Sequence, residues 1–429
     1  MHILAISSLG RSTSVALIDD ELSILFAIEE EKLSRQESSD VPRLALERCL
    51  HENHLHLEDC RAIAIAERLG PAKRSSSRYK KSAAQQQLHD LLRGGPRPSH
   101  FEHHLCHAAS AYYTSGFDRA LILSLDGSAN AQSGLMALGD GDELRQLHTL
   151  KFPDSLGWFY TRVTELAGLR PHKDEHKLQW LSKDGDPEFL PAFRKLFTWK
   201  SNGLPSLNRR YFASGPDHRG IFAPQFYREL GLSSRDHPPS PVVRANLARS
   251  AQDYLEEIVL QLAANLQEQT NTHAVCLAGG IFLNVFLVHA LESRSGFSQV
   301  YVQPVSGNAG TALGAAYLMR KKLNGYSGRT PLASLALGMQ ATSQEIKAVL
   351  DNCKITYRYL SGEDQTVDEV VQLLHRDKIV AWCQGRSEFG HRALGNRSLL
   401  ASPFSEYVVE NVNQFIKHRE EFHPFALCS

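Results

Sequence analysis

The chain has 429 residues, with 47 Lys+Arg balanced by 47 Asp+Glu, 42% hydrophobic and 22% charged residues. That length calls for more than one domain, and that balance excludes a disordered or fibrous chain, a nucleic-acid coat and a polybasic membrane binder. The reading therefore assigns no nucleic-acid partner. Apolar runs all fall short of the roughly 20 residues that span a bilayer, and the N-terminus lacks a basic and then apolar leader. Seven cysteines without a CxxC pair suit a reducing compartment, so the expectation is a cytoplasmic α/β protein.

In chain order, Ile3 to Ser7, Ser14 to Ile18 and Ser23 to Ile28 read as strands, the first two joined by a small-residue loop through Gly10 and Ser12. Pro42 to Leu50 has helical spacing and Cys60 to Ile65 reads as a strand. Residues 66–98 carry many lysines and arginines, among them Arg68, Lys73, Arg93 and Arg97, and read as a solvated connection. Then the first pattern recurs. Leu121 to Leu125, a loop opened by Asp126, Gly134 to Leu138 and Leu144 to Leu150 repeat strand, tight polar loop, strand, turn, strand. The repeat implies a duplicated β-unit heading two lobes.

Asn246 to Thr270 is an amphipathic helix that feeds a strand, His273 to Leu277, and then Gly279-Gly280. A second strand, Gln299 to Val302, leads through Gly307-Asn308-Ala309-Gly310 into a small-residue helix. Such strand–glycine–helix joints let backbone N–H groups face a phosphate, which points to a nucleotide cleft. Glu369 to His375 reads as a helix and Ile379 to Cys383 as a strand, and residues 384–398 form an unusual polar loop.

Two clusters carry chemistry. His103 and His107 lie one helical turn apart and can ligate one metal, and Asp126 can add a carboxylate oxygen. Two imidazoles and a carboxylate suit Fe, Zn or Mn. Arg386, Arg392, Arg397, Lys417 and Arg419 crowd a glycine-rich region where guanidinium groups can take phosphate, with Glu388 placed to hold one of them.

Five stretches resemble the ATP-dependent O-carbamoyltransferases, the family of the nodulation-factor, cephamycin and tobramycin enzymes. They are HHLCHAASAYYTSGFDRALILSLDGS (103–128), LAGGIFLNV (277–285), VYVQPVSGNAGTALGAAY (300–317), GRSEFGHRALGNRSLLASP (385–403) and NVNQFIKHREEFHPFA (411–426). The resemblance implies a duplicated, actin-like (ASKHA, RNase H-like) two-lobed domain followed by a YrdC-like α/β domain. Residues 1–115 would form the first lobe, 116–345 the second lobe with a helical insert, and 350–429 the start of the YrdC-like domain, apparently truncated. It implies carbamoyl adenylate formed from ATP and carbamoyl phosphate, with transfer to a hydroxyl of a small acceptor.

The resemblance also assigns residues. His103, His107, Asp126 and Asn308 would be metal ligands for a divalent ion, iron first. Gly279, Gly280, Asn284, Gly307, Gly310, Arg386 and Arg397 would line the nucleotide and phosphate site, and Arg392, Lys417 and Lys177 would be catalytic. Some positions depart from the family pattern. Gly10, Arg11 and Ser12 stand where the family has a His and an Asp, Asn308 where it has an Asp, and Trp180 where it has a Gly. His391 replaces a Pro and His423 an Arg. These departures support an alternative, a degenerate member that holds a nucleotide or metal without turnover.

Overall fold

The computed structural model describes all residues except 1, 9, 11, 22, 37–39, 68–82, 130, 213–221, 233–238, 327, 421–422 and 428–429, and all their side chains but those of Glu67 and Ser128. The chain divides into two compact units, Met1–Ala333 and Ser334–Ser429.

The first unit opens with β1 (His2–Ser7), β2 (Ser14–Ile18), β3 (Ile24–Glu29), α1 (Glu30–Ser34), α2 (Arg43–Glu52), β4 (Cys60–Glu67), α3 (Ala83–Leu91), β5 (Ser99–Glu102) and α4 (His103–Ser115). Its sheet has the order β3-β2-β1-β4-β5. The three sequence-adjacent strands are antiparallel, whereas β1, β4 and β5 run parallel. Next come β6 (Arg119–Ala129), β7 (Gln132–Asp140), β8 (Glu143–Lys151), α5 (Leu156–Leu166), α6 (Glu175–Leu181), α7 (Leu190–Phe193), β9 (Phe197–Trp199), β10 (Pro205–Leu207), α8 (Pro224–Glu229) and α9 (Pro241–Thr270). The unit ends with β11 (Ala274–Ala278), α10 (Val285–Arg294), β12 (Gln299–Val302) and α11 (Thr311–Asn324).

Strands β8-β7-β6-β11-β12 form a second sheet with the same order and the same mixture of antiparallel and parallel pairs. The duplication read from the sequence is therefore a duplication of topology, and the unit has the expected actin-like, two-lobed fold. The α5–α9 stretch is the helical insert, and its aromatic side chains Phe159, Phe193, Phe226 and Tyr254 build one core against the second sheet. A second core is made of small and aromatic side chains from both sheets and from α4 and α11, with Ala5, Ala64, Tyr112, Ala120, Cys276 and Tyr317 all buried.

Small residues let α4 and α11 touch backbone to backbone. A Cβ at Gly314 would stand 1.8 Å from the Cys106 carbonyl oxygen, so no other residue fits there without moving a helix.

The second unit holds β13 (Ala336–Gln340), α12 (Ser343–Asn352), α13 (Glu363–His375), β14 (Val380–Cys383), β15 (Arg386–Glu388), β16 (Arg397–Leu400) and α14 (Val408–Glu410), followed by a π-helical turn over Asn411–Ile416. Strand β13 pairs with β15 and β14 with β16, both antiparallel.

Two expectations need correction. The polar loop at 384–398 contains strand residues, because Arg386–Glu388 pairs with β13, some 50 positions earlier, and Arg397–Leu400 folds back on β14 just before the loop. The basic connection carries a helix at Ala83–Leu91, and Arg93 pairs with Asp90 at its end; Arg68, Lys73, Arg74, Arg78, Lys80 and Lys81 lie outside the described residues, as does Arg11. The first compact unit closes at Ala333, and β13 pairs with β15 within the second. No helix among the described residues is long and apolar enough to cross a membrane.

Gly314→Ala is expected to destabilise the first unit by about 1–3 kcal/mol, as overpacking does. Denaturant unfolding of the full chain measures it.

Candidate functional site

Strand β5 delivers the chain to Glu102, whose carboxylate accepts the N–H groups of His104 (2.9 Å) and Leu105 (2.7 Å) and so caps α4. An anionic cap satisfies two donors that the first turn leaves open and suits the positive helix end. It fixes the first turn, and His103 and His107 fall on one face, 1% and 0% exposed. Their rings stand at 89° with the two Nε2 atoms 3.1 Å apart. His104 turns away from them, and its Nδ1 lies 3.0 Å from the Ser124 hydroxyl on β6.

Asp126 sits near the end of β6, where pairing with β7 lapses between Leu125 and Ala129. Its Oδ1 accepts the Gly127 N–H at 2.7 Å. Its Oδ2 faces the imidazoles, 3.4 Å from His103 Nε2 and 3.8 Å from His107 Nε2. A triangle with sides of 3.1, 3.4 and 3.8 Å has a circumradius of about 2.0 Å, the length of a metal–nitrogen or metal–oxygen bond. The three donor atoms are thus close enough to share one divalent ion, and they are the only such group of His, Cys, Asp or Glu among the described residues.

Gly279 and Gly280 pass directly over this strand end. Gly279 has φ +102° and donates its N–H to Ser306 O at 2.7 Å, and a Cβ on it would lie 2.0 Å from Leu125 O. A Cβ on Gly280 would reach 3.0 Å from Asp126 Oδ1. Gly307 has more room, with only Leu283 within 3.7 Å of its Cβ position, whereas Gly310 is pressed against Val305 O.

Asn308 begins a 3-10 turn that packs against α4, β1 and β2. The Ser7 and Thr311 hydroxyls donate to its carbonyl at 3.0 and 2.6 Å, and Ser14 Oγ donates to Ala309 O at 2.7 Å. These hydroxyls bind the first sheet to the start of α11. The sequence reading took Ser7 and Ser14 only as strand ends, since nothing local marks their partners some 300 positions away.

Asn284 has a structural task. Its side chain caps α10 by accepting from Phe286 and Leu287 N–H groups, and its amide pairs with Gln252 of α9. Lys177 on α6 is held 3.2 Å from Asp174, whose carboxylate also takes Arg170 through Nε and Nη2. Trp180 lies edge-on to Phe286 with ring centroids 5.2 Å apart, so the indole is absorbed by α10. Burial pushes the Cys106 thiol up and the Cys276 thiol to about 12, so neither is a thiolate nucleophile at neutral pH.

In the second unit the cations sort into two kinds. Arg386 donates to Leu337 and Gly338 carbonyls, and Arg397 to those of Met339, Gln384, Gly385 and Asn396. Arg419 donates to Asn413 Oδ1 and lies over the Phe425 ring. These three clamp backbone and neighbouring side chains. Arg392 and Lys417 are exposed, and neither side chain has a hydrogen bond or ion pair among the described residues.

Comparison with known proteins decides the family. The carbamoyltransferase N-terminus profile matches residues 78–317 and the carbamoyltransferase C-terminus profile matches 371–429. The chain belongs to the carbamoyltransferase family. An uncharacterized protein of Synechocystis sp. is 30% identical, over 99% of this chain and 75% of its own. Nodulation protein NolNO of Sinorhizobium fredii is 32% identical, over 94% of this carbamoyltransferase-family chain but 60% of its own length. Among solved structures, component A of (R)-2-hydroxyglutaryl-CoA dehydratase from Acidaminococcus fermentans aligns at TM-score 0.43 and 12% identity, over 75% of this chain and 98% of its own.

Hydrogen bonds from Arg170, opposed by burial and helped by Lys177, hold Asp174 well below the usual carboxylate range. A folded pKa below the unfolded one stabilises fully above about pH 4 and is lost as pH falls through and below it. Acid unfolding of this carbamoyltransferase-family protein should therefore be less steep in that range for Asp174→Asn, which should also be less stable at pH 7.

Proposed function

We propose that the protein is an O-carbamoyltransferase that uses ATP and carbamoyl phosphate, by way of carbamoyl adenylate, to carbamoylate a hydroxyl of a small molecule such as a natural product or sugar. The observation that carries this reading is the convergence of His103, His107 and Asp126 on one point beneath the Gly279-Gly280 backbone, in a chain of this family. Family membership supports carbamoyl transfer in general; the activity itself, the co-substrates, the acceptor and a cytoplasmic setting are part of the proposal.

His103 and His107 would hold a divalent ion, iron, zinc or manganese, through Nε2 and Asp126 through Oδ2, with Asn308 as a neutral fourth ligand. Bound there, such an ion polarises an acyl carbonyl or offsets phosphate charge. The chain's own residues do the rest. Gly127 fixes one Asp126 oxygen, so the other keeps its direction toward the imidazoles. Gly279 and Gly280 let the chain pass close over the end of β6, and a side chain on Gly280 would crowd the Asp126 carboxylate. Arg392 and Lys417 face solvent with their charges open to a phosphate-bearing substrate. In the transfer step the acceptor oxygen forms the new C–O bond, AMP leaves with the phosphate oxygen, and the hydroxyl proton is released.

The two halves of the reaction should separate by mutation. Arg392→Ala should lower carbamoyl-phosphate-dependent pyrophosphate release from ATP by about tenfold or more. His107→Ala should leave that release intact and abolish the added carbamoyl mass on the acceptor. Loss of both activities in both variants, or of neither, contradicts the division of labour.

A second reading, ligand binding without turnover, draws on Asn308, which is uncharged where the family pattern has an Asp. Asn308→Asp should tighten divalent-metal binding by about tenfold or more, since ligand charge sets affinity for such ions. Competition against a chromophoric chelator measures it. Restored carbamoyl transfer in Asn308→Asp from an inactive parent would favour this second reading.

A further inference from the structure

Glu388 is 3% exposed, yet it carries a carboxylate. A buried charge is costly unless it is hydrogen-bonded, and here three peptide N–H groups are among the partners. Its Oε1 accepts from Leu394 (2.7 Å), Asn396 (2.9 Å) and Arg397 (3.2 Å), all from the loop that follows it. Burial alone would raise its pKa, but these backbone donors prevail and lower it, so the group is ionised at neutral pH.

The loop is closed around this oxygen at both ends. Phe389 is buried and donates its N–H to Leu335 O, and the Asn396 amide donates to Arg386 O while its carbonyl accepts from Gln384 N. Gly390 and Gly395 take positive φ, +103° and +97°, where the loop reverses. Between those turns His391, Arg392, Ala393 and Leu394 are exposed. The loop is therefore a backbone nest folded over an internal anion, the arrangement that elsewhere receives a bound phosphate.

We propose that Glu388 is a positioning residue: its carboxylate is the internal anion on which the Phe389–Arg397 loop folds, and it thereby holds Arg392 outward to receive an anionic, phosphate-bearing substrate. The substrate half of this inference rests on the proposed function, whereas the loop-shaping half stands without it. Three converging N–H groups need an acceptor with full negative charge. A neutral amide oxygen is a weaker acceptor, and an amide nitrogen presented to the same donors repels them. Arg386 and Arg397 extend the device, since their guanidinium groups hold the backbone on either side of the loop.

The test uses full-length protein, with Glu388→Gln, Arg392→Gln and the double variant, and inorganic pyrophosphate as the probe. Hydrogen exchange at Leu394, Asn396 and Arg397 reads the loop directly. Glu388→Gln should speed exchange at these three amides by about tenfold or more while leaving the first unit unchanged. Unchanged exchange at all three overturns the proposal whatever pyrophosphate does. By calorimetry, Arg392→Gln should weaken pyrophosphate binding about tenfold or more, Glu388→Gln should weaken it several-fold, and the double variant should match Arg392→Gln alone. Effects that multiply show Glu388 acting independently of Arg392 and overturn the positioning role. Faster exchange without any pyrophosphate effect of Arg392→Gln supports the loop-shaping half and removes the substrate reading. If Glu388→Gln does not fold, Glu388→Asp, which keeps the charge one methylene short, should give the same pattern to a smaller degree. Wild-type exchange and binding in that variant would overturn the proposal.

Discussion

The crossing of α4 on α11 at Gly314 is the contact on which the site depends. Gly314 meets the carbonyl of Cys106, the residue directly before His107, so the helix that carries both imidazoles is placed by backbone contact and not by adaptable side chains. The same α11 begins at the turn containing Asn308, and the Ser7 and Thr311 hydroxyls fix that turn to the first sheet. The α4–α11 contact and these hydroxyls therefore fix the imidazole-bearing helix and the backbone of the Asn308 turn to one framework. Packed interiors change little under small forces, which suits donors that must stay within a few tenths of an ångström of a common centre.

The duplicated topology explains where the centre lies. In the second sheet, β6 is flanked by an antiparallel partner on one side and the parallel β11 on the other. Asp126 lies near the carboxyl end of β6, and Gly279 directly follows β11, so the carboxylate and the glycine pair lie at the carboxyl ends of neighbouring parallel strands. Ligand sites in α/β sheets occur at such places because successive chain segments leave in different directions and open a crevice. The lapse in β6–β7 pairing frees Asp126 from the ladder and lets its carboxylate turn toward α4.

The sequence made some of this plain and hid the rest for physical reasons. The two β-units were legible because strand, polar loop and turn are local patterns, and the topology repeats them in both lobes. The approach of His103 to His107 was legible because a four-residue spacing on a helix determines it. The backbone partners of Arg386 and Arg397 were not. Their charge suggested phosphate and said nothing of the carbonyls among residues 337–339, 384, 385 and 396 that they hold, brought near by the pairing of β13 with β15 and by the closed loop. Asn284 followed the same course, since its partner Gln252 comes from a helix earlier in the insert. Glu388 was read as a partner for an arginine side chain, and what the sequence did not show is that it accepts from the backbone of its own loop. A charged residue advertises its charge, while tertiary pairing decides what neutralises it.

The proposed metal centre is tested most directly by X-ray absorption spectroscopy of the iron-loaded full-length protein. The account predicts two imidazole nitrogens and carboxylate oxygen at about 2.0–2.2 Å, with imidazole scattering diminished in His107→Ala. A first shell without imidazole, or one unchanged by that substitution, would contradict it.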